Sequence, residues 1–267
     1  MTSTMMHRFA CVGALAGLFA GAFAFAPNLA AQDLPAGLDL NSPQYTTAEM
    51  SRVDIEKLLA SGKKPDLSDK SLNGLDLSGL DFSGVSFRAA RLDKTKFAGA
   101  RLIGAIFDQA WAIGADFSGA DLTRASLFAA QMQKSNFNNA DLSYARVAGD
   151  FSGAQMRKAK FVGANLSADM KNQSMGLMRA VLRSVDLRGA DFEGANLERV
   201  DLEFAQLAST NFVNADLKGA DAGGADFRGA IFGNTILDDC DVSGAQISPA
   251  QMPYFARADH LDRVLKN

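Results

Sequence analysis

The chain has 267 residues, 48% of them hydrophobic and 21% charged, with a formal net charge of -3. That balance excludes a generically disordered acidic chain and a strongly basic nucleic-acid binder. With only Cys11, Cys240, His7 and His260 among cysteines and histidines, it also excludes a disulfide framework and most metal chemistry built on those residues.

In chain order, the first segment reads as an address. His7 and Arg8 precede an apolar run of 18 residues from Phe9 to Ala26, then come Pro27-Asn28 and the small pair Ala30-Ala31. This is the layout of a secretory signal over residues 1–31, with cleavage expected after Ala31. An uncleaved anchor is the alternative, because such a run sits at the lower end of the spanning range. Nothing later in the chain reads as a membrane span, so an exported, periplasmic or secreted bacterial protein is expected. Residues 32–45 read as a linker. Thr46-Thr47-Ala48-Glu49 has capping-box spacing, and Met50, Val53, Ile55, Leu58 and Leu59 follow in a mostly helical pattern before Gly62 and Pro65. This predicts a capping helix over residues 47–60, inside an N-terminal cap over residues 46–64.

From Leu67 onward an apolar residue recurs every fifth position. One run goes from Leu67 to Val147, a second from Phe151 to Leu166 and a third from Leu177 to Ile247. Of the 36 centres, 17 are Leu and 12 are Phe, and Ala stands two residues before 22 of them. Asp or Asn commonly lies between, as in Ala115-Asp116-Phe117-Ser118-Gly119. On an α-helix, successive centres would be displaced by about 140° and form no stripe. On a continuous strand, every second centre would face water. A chain that bends once per pentapeptide, coiling with Leu or Phe and its small partner inside, meets the pattern.

These residues resemble the pentapeptide repeat family, over about residues 67–247. The resemblance implies an all-β solenoid: a right-handed four-sided β-helix with 20 residues per coil, here over residues 65–249. Open solenoid ends need covers. Ser248-Pro249 signals a helix start, and residues 250–267, with Met252, Tyr254, Phe255, Leu261 and Val264, read as a C-terminal cap in which Pro253 breaks the helix.

The spacing of centres falls to four between Val147 and Phe151 and becomes eleven between Leu166 and Leu177. Read as two repeats plus one residue, the insertion cancels the deletion and predicts an irregular loop over residues 167–176. Stacking residues 20 apart then gives an outer column of Asp81, Arg101, Asp121, Asp141, Lys160, Val181, Asp201, Asp221 and Asp241. Asp201, Asp221 and Asp241 are the candidate ligands of a Ca-type cation, although each could instead accept a backbone N–H in its own turn. Arg91, Trp111 and Gln131 form another column. With Ile113 and Phe128, Arg91 and Trp111 make a candidate partner-binding patch, unless Trp111 folds back over the small centre Ala112. From Arg88 to Arg179 the chain carries net +6, and from Val181 to Phe227 net -5.

No catalytic residues, cofactor or enzymatic activity are expected. The reading is a non-enzymatic exported module offering a rigid charged surface to a protein or surface polymer, with end-to-end homo-oligomers as a further possibility. The alternatives are cation binding by the stacked aspartates and, as the resemblance implies for some members, protection of DNA topoisomerases by an acidic DNA mimic. The basic middle and the export signal stand against the mimic, and no nucleic acid is expected as partner.

Overall fold

The pentapeptide from Ala120 to Arg124 shows how the backbone meets its hydrogen-bonding demand. Asp121 N–H donates to Ala100 C=O in the preceding coil (3.0 Å), while Leu122 N–H and Arg124 N–H donate to Asp141 C=O and Ser143 C=O in the following one (2.7 and 3.0 Å). Ala120 N–H closes the previous turn onto Phe117 C=O (3.0 Å). The fifth donor, Thr123 N–H, has no carbonyl and takes Asp121 Oδ1 instead (3.0 Å). This explains Asp or Asn before the centre, since only a short carboxylate or amide reaches the N–H two residues on. Arg124, third in the turn, has φ 59°, and Gly119 in the preceding turn has φ 64°. A positive φ at that position is the mark of a type II turn.

The protein is seen here as a computed structural model that describes residues 46–170 and 178–265. The predicted signal (1–31) and linker (32–45) lie outside the described residues, as do most of the predicted loop and the last two residues of the predicted C-terminal cap. Among the described residues no helix is long and apolar enough to cross a membrane.

The repeats stack through parallel bridges one residue long, such as Ser71 with Arg91, Asp76 with Lys96, Asp81 with Arg101 and Ser86 with Ile106. Four bridge positions per 20 residues define four faces, numbered here from those containing Ser71 (face 1), Asp76 (face 2), Asp81 (face 3) and Ser86 (face 4). All 35 described centres are buried, none more than 7% exposed. Phe97, Phe117 and Phe137 stack with ring centroids 5.1 and 4.7 Å apart, and so do Phe192, Phe212 and Phe232 at 5.5 and 5.8 Å. Each fully buried Phe or Leu centre contributes about 1.5–3 kcal/mol of burial free energy.

The break differs from its sequence reading. Gln131 bridges Asp150 at an offset of 19, and Asp150 bridges Val181 at an offset of 31. The coil leaves the stack after Ala168, whose N–H still donates to Glu198 C=O (3.1 Å), and resumes at Ala180, whose N–H returns to Leu166 C=O (3.3 Å). Eleven residues, 169–179, are therefore inserted, and an Asp169 N–H to Met178 C=O bond (2.8 Å) closes their base. The insertion does not cancel the deletion: Lys160 bridges Asp191, not the predicted Val181. Leu177, whose spacing imitated a further centre, lies outside the described residues. The shortened coil also brings backbone against backbone, since a Cβ on Gly149 would lie 2.4 Å from Ala130 C=O.

Both ends depart from expectation in detail. The helix α1 spans Arg52–Ala60, with Ser51 as N-cap and Asp54 completing the capping box. The predicted box at residues 46–49 does not form. Instead Glu49 N–H pairs with Ser71 C=O (2.7 Å) and Thr47 C=O accepts from Ser71 Oγ (2.7 Å), so this stretch lies along the first coil. Ile55 enters the core, and Arg52 donates to Asp76 C=O (2.8 Å). At the other end Pro253 does not break a helix. It lies inside a 3-10 helix, Pro249–Phe255, which places Phe255 in the core against Phe227 and Phe232. Faces 1 and 2 continue to Asp259 and Leu265, whereas the ladders of faces 3 and 4 end at Ile231 and Ile236 among the described residues.

Substituting Gly149→Ala forces a methyl into the Ala130 carbonyl and should destabilise by about 3 kcal/mol, the upper end for overpacking. Gly119→Ala meets nothing within 4 Å and should lose only the left-handed backbone preference, about 1–2 kcal/mol. Urea denaturation of the two variants checks the order; equal losses would contradict the close approach at the break.

Candidate functional site

The register shift puts both groups of candidate residues on one surface. Face 1 reads Ser71, Arg91, Trp111, Gln131, Asp150, Val181, Asp201, Asp221, Asp241 and Asp259. The aspartates therefore continue the tryptophan column, not the Asp81 to Lys160 column to which the repeat count assigned them.

Trp111 is 54% exposed beside the buried Ala112. The indole does not fold back into a dry gap. Ile113, two residues on, is exposed at the corner between faces 1 and 2, and Arg91 is the bridge neighbour in the preceding coil. Phe128 stands apart from this open surface: it is half-buried at the opposite border of face 1, with the Arg146 guanidinium 4.0 Å from its ring centroid. Three of the four predicted patch residues thus share an open surface, and the fourth is roofed by a cation.

A tryptophan here removes the usual side-chain acceptor for the next turn. Ile113 N–H takes Asp93 Oδ1 from the preceding coil instead (2.8 Å), and Asp93 N–H takes Asn73 Oδ1 (2.7 Å). This corner relay frees positions 91 and 111 from backbone duty. Burial pushes the Asp93 carboxyl above its ordinary value, against the opposing pull of the Ile113 N–H, Lys94 and Arg91. Beyond Trp111, Gln133 Nε2 donates to Gln131 Oε1 (2.9 Å) and to Asp150 Oδ2 (2.8 Å), fixing the side chain of Gln131 beside the indole. Sequence reasoning missed Asn73, Asp93 and Gln133. The signal for the first two was an Asn or Asp one residue after the centre, opposite a coil that lacks one before it.

The aspartates are answered by the chain itself. Asp201 is only 3% exposed. Its Oδ1 accepts Glu203 N–H (3.1 Å) and its Oδ2 faces Arg183 and Arg179 at 3.0 and 3.4 Å. Asp221 accepts Gly223 N–H (3.4 Å). Asp241 accepts Ser243 N–H (2.8 Å) and contacts His260 Nδ1 (3.1 Å). Burial first, then nearby Asp221, pushes the Glu203 carboxyl up, while Arg183 pairs with it. Two guanidinium groups thus sit on Asp201, one of the three proposed ligands, and among the described residues no three His, Cys, Asp or Glu side chains group to hold a metal ion. Ser243, Asp241 and His260 make no catalytic triad, because Ser243 Oγ donates to the aspartate (2.6 Å) and the histidine sits on the aspartate's other side. Cys240 is buried, its thiol pushed up to about 12 by burial first and then by Asp241, which makes it unreactive.

Eight copies of the Pentapeptide repeats model match residues 71–109, 112–143, 177–212 and 210–248. The chain belongs to the pentapeptide repeat family. Proteins of this family fold into right-handed quadrilateral β-helices and are generally structural or interaction modules. Among solved structures the chain is similar to HetL, a pentapeptide repeat protein involved in heterocyst differentiation regulation in the cyanobacterium Nostoc, with 27% identity, 74% of this chain and 97% of that one covered, and a TM-score of 0.35. It is also similar to trypsin-treated QnrB1, a plasmid-mediated fluoroquinolone resistance protein (21% identity, 67% and 80% covered, TM-score 0.38). A third likeness is to a pentapeptide repeat protein of the Arabidopsis thaliana thylakoid lumen (22%, 53% and 74% covered, TM-score 0.28). No curated protein matches the chain.

Removing the relay acceptor tests its role. Asp93→Ala strands Ile113 N–H and should lower stability by about 1–2 kcal/mol, whereas Asp93→Asn keeps an acceptor and should stay within about 0.5 kcal/mol of the parent. Thermal melts of both variants read the difference.

Proposed function

We propose that this chain is a non-enzymatic, exported interaction module that docks a protein or surface polymer on face 1, around Trp111. The observation that carries the reading is an exposed tryptophan at a position the fold normally gives to Asp or Asn, with the lost backbone acceptor supplied by Asp93. Tryptophan and arginine are favoured anchors of interfaces. Export rests on the composition of residues 1–31. The helix α1 and the 3-10 helix Pro249–Phe255 serve as end covers, which keep exposed coil edges from pairing with other chains. The stacked aspartates lose their case as a cation site because Arg179 and Arg183 neutralise Asp201. A DNA mimic is disfavoured by the basic charge between Arg88 and Arg179.

A photo-crosslinking residue at position 111, in protein expressed with its own leader, should capture an envelope component, while the same probe at position 216 on face 4 should not. Capture of cytoplasmic components alone would defeat the export argument, and equal capture from both positions would defeat the choice of face.

Self-association at the C-terminal end is a second reading, favoured by a specific observation. Among the described residues the ladders of faces 3 and 4 stop at Ile231 and Ile236, both exposed, beside exposed Tyr254 and a shallow cavity of about 260 Å³ lined by Ile236, Leu237 and Tyr254. An apolar, unpaired coil edge is a template for pairing with a second copy. Light scattering should show a dimer that Ile236→Lys converts to monomer; a monomeric parent at high micromolar concentration rules this reading out.

A further inference from the structure

We propose that the Trp111 surface binds a linear polysaccharide bearing carboxylate groups, laid along face 1 with a sugar ring on the indole. The proposal rests on the reading of face 1 as the docking surface and names the partner's chemistry. Trp111 is the sole tryptophan of the chain. It stands between Arg91 and Gln131, at about 4.8 Å per coil, on a ladder whose regular spacing suits an extended chain of repeating rings. The C–H faces of a pyranose stack on an indole, and the ring hydroxyls beside it need fixed polar partners.

Those partners are in place. The bonds from Gln133 Nε2 to Asp150 and to Gln131 Oε1 hold the carbonyl end of Gln131, which leaves its amide nitrogen to donate beside the indole. Gln133 Oε1 is a buried acceptor with no hydrogen-bond donor among the described residues. Two ammonium groups complete the surface. The stem of Lys94 runs over Gly114, and that of Lys134 over Gly153, each with Cγ within 4 Å of where a glycine Cβ would sit. Among the described residues neither lysine joins an ion pair, in contrast with Arg88, Arg91 and Arg146, which pair with Asp108, Glu49 and Asp169. Lys94 and Lys134 flank Ile113 from coils two steps, or about 10 Å, apart, a spacing that matches carboxylates on alternate sugars of an extended chain. A single-stranded nucleic acid fits less well. Such ligands use successive stacking aromatics along a continuous basic groove, whereas this column has one indole and turns acidic at Asp201, Asp221 and Asp241.

The sole tryptophan is its own reporter. Emission of the full chain is titrated at 150 mM salt with polygalacturonate, with dextran and with a thymidine oligonucleotide. Polygalacturonate should shift the emission, and calorimetry should give at least tenfold weaker binding for dextran and for the oligonucleotide. Trp111→Ala should weaken polygalacturonate binding at least tenfold by calorimetry, and the Lys94→Gln/Lys134→Gln double variant should do the same while leaving dextran unchanged. Circular dichroism melts confirm that the variants fold. The proposal is overturned by no binding of polygalacturonate, by an unaffected Trp111→Ala variant, by dextran binding as tightly, or by an oligonucleotide that binds equally well and so reports charge alone. If polygalacturonate fails while position 111 still crosslinks an envelope protein, the glycan is wrong and the docking face stands; if both fail, both are wrong.

Discussion

In the regular pentapeptide four of the five backbone N–H groups reach a carbonyl, and an Asp or Asn before the centre takes the fifth. In the coil at Ala120 to Arg124 that side chain is Asp121, and the same bond recurs at Asp116, Asp141 and Asp216. The other repeat features follow. The centre must be large to fill the space between four faces, its small partner must let the corner close, and the third turn residue must accept a positive φ, as Gly119 and Arg124 do. Three of the five bonds in that pentapeptide run to neighbouring coils, which is the energetic meaning of a solenoid.

The same constraint gives a way to find function on a surface that repeats. Where Asp or Asn precedes the centre, its carboxylate or amide is occupied by its own turn, and a structural explanation suffices. Asp201, Asp221 and Asp241 fall in this class. Where the usual residue is absent, the bond is lost or the chain supplies another acceptor. Asp93 supplies it for the Trp111 turn, Asp108 for Phe128 N–H and Asn138 for Arg157 N–H. A position released in this manner is free to carry chemistry unrelated to folding. Trp111 is the released position with the largest exposed apolar side chain on face 1.

How much of this was legible in the sequence depends on the range of the interaction concerned. Every described centre named from the five-residue period is buried, because a period senses only whether a side chain points in or out. The insertion was misjudged because Leu177 falls where a continued count wants a centre, and a count carries no information on which residues pair across coils. The bonds from Ala180 to Leu166 and from Val181 to Gly149 carry that information, and they are tertiary. End effects were hidden for the same reason. Glu49 looked like the last residue of a capping box, yet its carboxylate faces Lys70 and Arg91 on the first coil. Gln251 looked unremarkable, yet its Nε2 donates to Phe227 and Ala230 carbonyls (2.8 and 2.7 Å), supplying donors that a further coil would have brought.

The eleven-residue insertion therefore has to be left out of any count of columns. A net gain of ten residues over the break equals two pentapeptides, half a coil, so any column counted through it moves to the opposite face. Face 3 runs from Arg101 and Asp121 through Lys160 to Asp191, mixed in sign throughout, while face 1 runs from Arg91 and Trp111 through Asp150 to Asp201, Asp221 and Asp241. The polarity of face 1 is consequently visible only when the inserted residues are left out of the count. An anionic chain lying along it would meet the Lys94 and Lys134 ammonium groups at one end and, about 19 Å from Trp111 at four coils' distance, the aspartate column at the other. Repulsion there sets a limit on how far such a ligand extends and fixes which half of the stack it occupies.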